Sequence, residues 1–190
     1  MNENLNISQE GIEFIASWEG LYRKGGSSKH APKNAKLSSE DPNKIYEYID
    51  PIGLPTIGYG HLLTSQERSS GIIIIDGVSV NYKNGLTMDQ IWALKKQDLN
   101  RFIVAARKAI KVPVTQGMFD ALISWSFNVG AGALSSASLM KKLNAKDYNG
   151  AGDGLLAWTK AGGRTLQGLV NRRNAERKMF LEKVHLVAGK

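Results

Sequence analysis

The sequence predicts an α+β fold: one leading helix, then a small β-lobe, then a larger helical lobe, with a cleft between the two lobes as the natural binding site. Three observations carry this. Residues 7–19, ISQEGIEFIASWE, place Ile12, Ile15 and Trp18 on one side of a helix that Gly20 closes. Residues 46–85 collect β-branched side chains, prolines and two Asn/Asp-Gly pairs. From Thr87 onward, apolar residues recur at helical spacing and glycines mark the breaks.

The elements follow in order. Asn6 or Ser8 caps the first helix. Residues 23–47 form a polar insertion of Gly, Ser, Pro, Asn and Lys, read as a long loop. The β-lobe spans 46–85. Its run GIIIIDGVSVNYKNG reads as hairpin structure, with Asp76-Gly77 and Asn84-Gly85 as the turn signals. Thr87 and Gln90 form a capping box that opens a helix from 88 to about 110, with Pro113 just beyond it. Further helices are expected at 115–128, 136–144, 148–158 and 167–184, completing a helical lobe over 87–185. The whole chain, 1–190, reads as one domain.

Composition excludes several classes. There is no cysteine, so disulfide and thiolate chemistry are out and no metal site is expected. No run of about 18 apolar residues exists, so stable membrane insertion is not expected. The start, MNENLNISQEGIEF, lacks the pattern of a secretory signal. The net charge of +8 favours an anionic partner. Nucleic acid is disfavoured, because no aromatic-and-basic motif for base stacking is present.

One carboxylate stands out on the first helix. With Ile12 as the origin and about 100° per residue, Ile15 falls near 300°, Trp18 near 240° and Glu19 near 340°. Glu10 and Glu13 fall on the opposite, solvent side. Glu19 therefore sits on the apolar side in the last turn, where the helix dipole and desolvation both favour the neutral acid. A neutral acid is what a proton donor needs. A helix-end glutamate paired with a cation is the bland alternative.

A second polar pair lies in YIDPIGLPTIGYGH, residues 48–61. Pro51, Gly53 and Pro55 restrict the loop, so Asp50 and Thr56, six positions apart, can be held in a fixed relation. A carboxylate and a hydroxyl so held can orient one water; an ordinary Asp-Pro turn beside a strand threonine is the alternative.

Glu19 ending the first helix, followed by this segment, resembles the phage-type lysozymes, the muramidases of glycoside hydrolase family 24. The resemblance continues through GLTMDQIWALKKQDL, VPVTQGMFDALISWSFNVGAGAL, WTKAGG and GLVNRRNAERKMFL, about residues 7–182. It implies a lysozyme-like fold and an endolysin that hydrolyses the β-1,4 bond between N-acetylmuramic acid and N-acetylglucosamine in bacterial peptidoglycan, with inversion and without a cofactor. It implies Glu19 as the acid, with Asp50 and Thr56 holding the attacking water. The chain departs from the family in one respect: Glu19 and Asp50 are 31 positions apart (50 − 19), where the family has a much shorter gap, and the polar insertion accounts for the excess.

The family's paired arginines supply a cationic partner for Glu19. Arg173, which falls on the apolar stripe Leu166, Leu169, Val170, Phe180 and Val184, is favoured over Arg172, which falls off it; Arg177 shares the stripe. Tyr59 is a possible cleft residue. His61 is read as structural, Asn128 as a helix-closing residue, and Trp92, Trp125 and Trp158 as core. Two rival readings remain: a lytic transglycosylase on the same bond, which needs no water-holding pair, and a noncatalytic peptidoglycan-binding module. The expected protein is a monomer made in the host cytoplasm that reaches the wall through a membrane hole made by a holin.

Overall fold

The computed structural model describes residues 4–19, 44–50 and 53–188. Most of the polar insertion and the helix stop at Gly20 lie outside the described residues. The chain divides into two compact units, residues 16–98 and residues 1–15 with 99–190.

The first helix, α1 (Gln9–Glu19), starts at Ser8 rather than Asn6. The Ser8 hydroxyl accepts from the Gly11 N–H at 2.9 Å and donates to Asp120 Oδ2 at 2.5 Å, while the Ser8 N–H donates to Asp120 Oδ1 at 3.1 Å. Asp120 thus satisfies one orphan donor at the helix start and orients the cap. Ile12, Ile15 and Ala16 are buried, and Glu10 and Glu13 are exposed, as the periodicity requires.

The 16–98 unit holds a three-stranded antiparallel sheet of β1 (Tyr48–Ile49), β2 (Pro55–Ile57) and β3 (His61–Leu62), in the order β1-β2-β3. Thr56 is the shared register point, opposite Tyr48 on one side and Leu62 on the other. A short helix, α2 (Ser65–Ser70), follows; the β-lobe reading had omitted it. Its signature is in the sequence: Thr64 and Glu67 form a complete capping box. Next comes a hairpin of β4 (Ile72–Ile75) and β5 (Val78–Asn81). Its turn residues Asp76 and Gly77 have φ of 48° and 81°, the doubly positive pair that matches the twist of the strands. Asn84-Gly85 is not a hairpin turn. Asn81 Oδ1 accepts from the Lys83 N–H, Tyr82–Asn84 winds into a 3₁₀ turn, and Gly85 closes it, sending Leu86 into a backbone bridge with Ile45. The core of this unit is Ile45, Ile57, Leu63, Ile73, Ile75, Tyr82, Leu86, Ile91 and Leu94.

Helix α3 (Met88–Ala109) begins in this unit and continues into the other. Its expected capping box forms: Thr87 N–H donates to Gln90 Oε1 at 2.9 Å and Gln90 N–H to Thr87 Oγ1 at 3.3 Å. In the second unit, α4 (Gln116–Val129) is buried continuously from Met118 to Ser126, the mark of a central helix surrounded by others. Around it come α5 (Ala133–Ser136), α6 (Ser138–Asn144), α7 (Tyr148–Gly154), α8 (Gln167–Leu181) and α9 (His185–Ala188). The packing of α4 on α8 is close: a Cβ on Gly117 would lie 2.7 Å from the Met179 carbonyl oxygen. A small hairpin, β6 (Lys160–Ala161) with β7 (Arg164–Thr165), turns through Gly162 and Gly163 at φ of 55° and 77°.

The stripe expected on α8 is corrected. Its buried residues are Arg172, Arg173, Glu176 and Phe180, whereas Leu166 is exposed and Arg177 lies at the surface, paired with Asp153 at 2.6 Å. The apolar count misled because the facing surface of α4 offers Ser124, a polar group that favours an ionic face on α8.

Candidate active site

Glu19, Asp50 and Thr56 all belong to the 16–98 unit. Glu19 is the last described residue of α1 and is partly exposed. Its Oε2 lies 3.8 Å from where a Cβ on Gly60 would be, so the carboxylate faces the Gly58–Gly60 turn across the space that a side chain at 60 would enter. Gly58 and Gly60 have φ of 60° and 86°, which glycine alone adopts without strain.

Asp50 and Thr56 are tied to the same residue. Asp50 Oδ1 accepts from the Leu54 N–H at 2.8 Å, and the Thr56 hydroxyl donates to the Leu54 carbonyl at 3.0 Å. The Asp50 N–H also donates to the Leu54 carbonyl, at 2.9 Å, and the Gly53 N–H to the Asp50 carbonyl, at 3.0 Å. These bonds close a tight turn that fixes carboxylate and hydroxyl together. Thr56 is 1% exposed, on the central strand, so its rotamer is set by packing as well.

Tyr48 lies in the field of both carboxylates. Its phenol is pushed up to about 12, first by burial and then by the negative charges of Glu19 and Asp50. Both acids therefore act on the hydroxyl of this half-buried tyrosine, which donates weakly to the Gly58 carbonyl at 3.4 Å. Tyr48 had not been selected from the sequence. Its strand pairing with Thr56 is what carries it to the site.

Two other side chains hold the same turn. Tyr59 is half-buried, with its ring 4.7 Å from that of Trp92 and tilted by 33°. Lys95 is 2% exposed and donates from Nζ to the Tyr59 carbonyl at 2.9 Å. Trp125 lies in the core and Trp158 packs edge-on against it at 5.3 Å.

His61 makes two ion-pair contacts, Nδ1 to Asp98 at 2.9 Å and Nε2 to Glu67 at 3.3 Å. Burial opposes its protonation, but Asp98 and Glu67 outweigh burial and raise the imidazole above its ordinary value of 6.5. Burial likewise pushes Glu67 up, yet the Thr64 backbone and hydroxyl and His61 bring it below its ordinary 4.5. A raised histidine stabilises the fold fully below 6.5 and loses that contribution as pH rises through its folded value. A lowered glutamate contributes above 4.5 and loses it as pH falls through its folded value. The network is thus at full strength near pH 5. His61→Asn is expected to cost about 1.5–3 kcal/mol there, the range for hydrogen bonds to charged groups. The cost should shrink at alkaline pH, as measured by urea unfolding across pH; an equal cost at every pH refutes the charged pairing.

Arg172 and Arg173, expected as partners of Glu19, are described in the other unit. Both are buried and both have Glu176: Arg172 Nε lies 3.1 Å from Oε1, and Arg173 Nε 3.1 Å from Oε2. Ser124 donates to Glu176 at 2.7 Å, and Arg173 Nη2 donates to Asn128 at 2.7 Å. Asn128 thus holds an arginine as well as lying in the last turn of α4. Glu176 was legible, being three and four positions from the arginines on one helix.

The family model described as Phage lysozyme matches residues 43–176, which include Asp50, Thr56 and both arginines; Glu19 precedes the matched range. The endolysin of Bacillus phage B103 is 34% identical over 177 residues, 93% of this chain and 54% of that relative. The chain therefore spans about half the length of that relative. The endolysin of Salmonella phage P22 is 35% identical over 146 residues, 77% of this chain and 92% of the relative. Among solved structures, the endolysin from Escherichia coli O157:H7 phage FAHEc1 superposes with a TM-score of 0.68 at 30% identity, covering 94% of this chain and 95% of the other.

Proposed function

Because the chain belongs to the phage lysozyme family, we propose that it is a muramidase that cleaves the β-1,4 bond between N-acetylmuramic acid and N-acetylglucosamine in peptidoglycan, with inversion. The observation that supports it best is the tie of both Asp50 and Thr56 to Leu54, which holds a carboxylate and a hydroxyl together in the unit that also carries Glu19. Glu19 donates its proton to the glycosidic oxygen as the bond breaks. Thr56 has its proton committed to Leu54, so its oxygen accepts from the attacking water, and Asp50 takes that water's second proton. Inverting sites hold their carboxyls about 6.5–9.5 Å apart to admit this water.

Proton NMR of a digest tests the stereochemistry: the first-formed product carries the α-anomer of the new reducing end, whereas β-product refutes inversion. Mass spectrometry of the same digest separates the rival chemistry, since 1,6-anhydro ends mean a transglycosylase. The +8 charge suits an anionic wall and makes lysis fall with added salt. As an endolysin the protein acts as a monomer, is made in the host cytoplasm, and reaches the wall through a holin lesion.

A further inference from the structure

The Gly58–Gly60 turn is gripped on consecutive carbonyls by side chains from two different elements. Tyr48, on β1, donates to the Gly58 carbonyl at 3.4 Å, and Lys95, on α3, donates to the Tyr59 carbonyl at 2.9 Å. The next residue, Gly60, faces Glu19 Oε2, which a Cβ at that position would meet at 3.8 Å. We infer that Lys95 and Tyr48 are positioning residues for the proposed reaction, a two-point clamp that sets the Gly58–Gly60 turn and through it the aim of the Glu19 carboxyl; this rests on the muramidase reading above.

Lys95 is the unusual member. Lysine is almost never fully buried, and this one is 2% exposed on a helix face shared with the core residues Ile91 and Leu94. Packing alone gives no reason for it, since an apolar side chain would fill the same space without desolvating an ammonium. What an apolar residue cannot do is hold a carbonyl. The Tyr59 carbonyl belongs to the peptide that leads into Gly60, so the bond fixes the orientation of that peptide. The glycines make such a grip necessary. With no Cβ at 58 or 60 the backbone of the turn has wide conformational freedom of its own. The Tyr59–Trp92 ring contact adds a third restraint on the same turn. A proton donor misplaced by about 1 Å can lose on the order of 100-fold in rate, so a clamp distant from the scissile bond can still act on turnover.

Tyr48→Phe removes one donor and keeps the ring; Lys95→Met removes the other and keeps the length. On soluble, uncrosslinked glycan strands each variant is expected to lose about 10- to 100-fold in kcat with KM changed less than about twofold, assayed well below its own melting temperature. Hydrogen exchange at the Gly60 amide should accelerate in both, and the double variant should lose less than the product of the single losses, because both act on one turn. A kcat within about twofold of the parent in Tyr48→Phe overturns the inference, as does unchanged Gly60 exchange. If Lys95→Met does not fold, Tyr48→Phe decides alone. The two readings fail separately: a parent chain that releases no reducing ends refutes the muramidase, while the clamp is still judged by Gly60 exchange.

Discussion

Glu19→Gln is expected to yield a folded protein whose release of reducing ends from peptidoglycan falls by about 10²–10⁴-fold, the usual contribution of a positioned general acid. The amide matches the carboxyl in size and can occupy the same place against Gly60. It has no acidic proton to give, so the leaving sugar departs as an alkoxide. The fold should survive the change, since the dipole at the last turn of α1 favours the neutral amide by about 0.3–1 kcal/mol while the contacts of the carboxylate favour the acid. The paired measurement is a reducing-end assay and a thermal melt: a cooperative melt retained with activity lost. A variant that clears walls at the parent rate sinks the acid assignment and leaves a binding module as the better reading.

Glu176→Gln is expected to destabilise the fold strongly, by about 3–5 kcal/mol, because it removes a buried carboxylate that pairs with two buried guanidiniums. Arg173 is 0% exposed and Arg172 4% exposed, so neither is reached by bulk water. Burial pushes the Glu176 carboxyl above its ordinary value against the opposing pull of Arg173, Ser124 and Arg172, and burial pulls Arg173 below its own. The cluster therefore holds its charges at a desolvation cost that the pairing with Glu176 helps to offset. Ser124→Ala removes one hydrogen bond and should cost about 1 kcal/mol. Chemical denaturation of the two variants checks the ranking; a loss below about 1 kcal/mol for Glu176→Gln means that the arginines do not depend on it.

The sequence by itself determined the class of elements and the chemistry-bearing residues. Period-3.6 patterns gave α1, α3 and α4 nearly to their ends, since apolar spacing and caps are local. Thr87 with Gln90, and Asp76-Gly77, were legible because a cap or a turn satisfies backbone groups within four residues. The same logic was available and unused for Thr64 with Glu67, and Gly162-Gly163, read as a break between helices, is the turn of a hairpin. The spacing of Asp50 and Thr56 pointed to a pair held by one turn, and Leu54 is the residue that holds it.

Only the tertiary structure decided the rest, because burial depends on what faces a residue and not on its own polarity. The buried face of α8 is ionic since α4 presents Ser124 and Asn128 to it, which no reading of α8 alone reveals. Lys95 looks like one of two solvated lysines in ALKKQ until the fold brings the Tyr59 carbonyl to its ammonium, across 36 positions of chain. Tyr48 is an ordinary strand tyrosine until pairing with Thr56 and the approach of Glu19 place its hydroxyl in the field of two acids. Residue types and local spacing named the groups able to do the chemistry; long-range contacts, which carry no local signature, set the company each of them keeps.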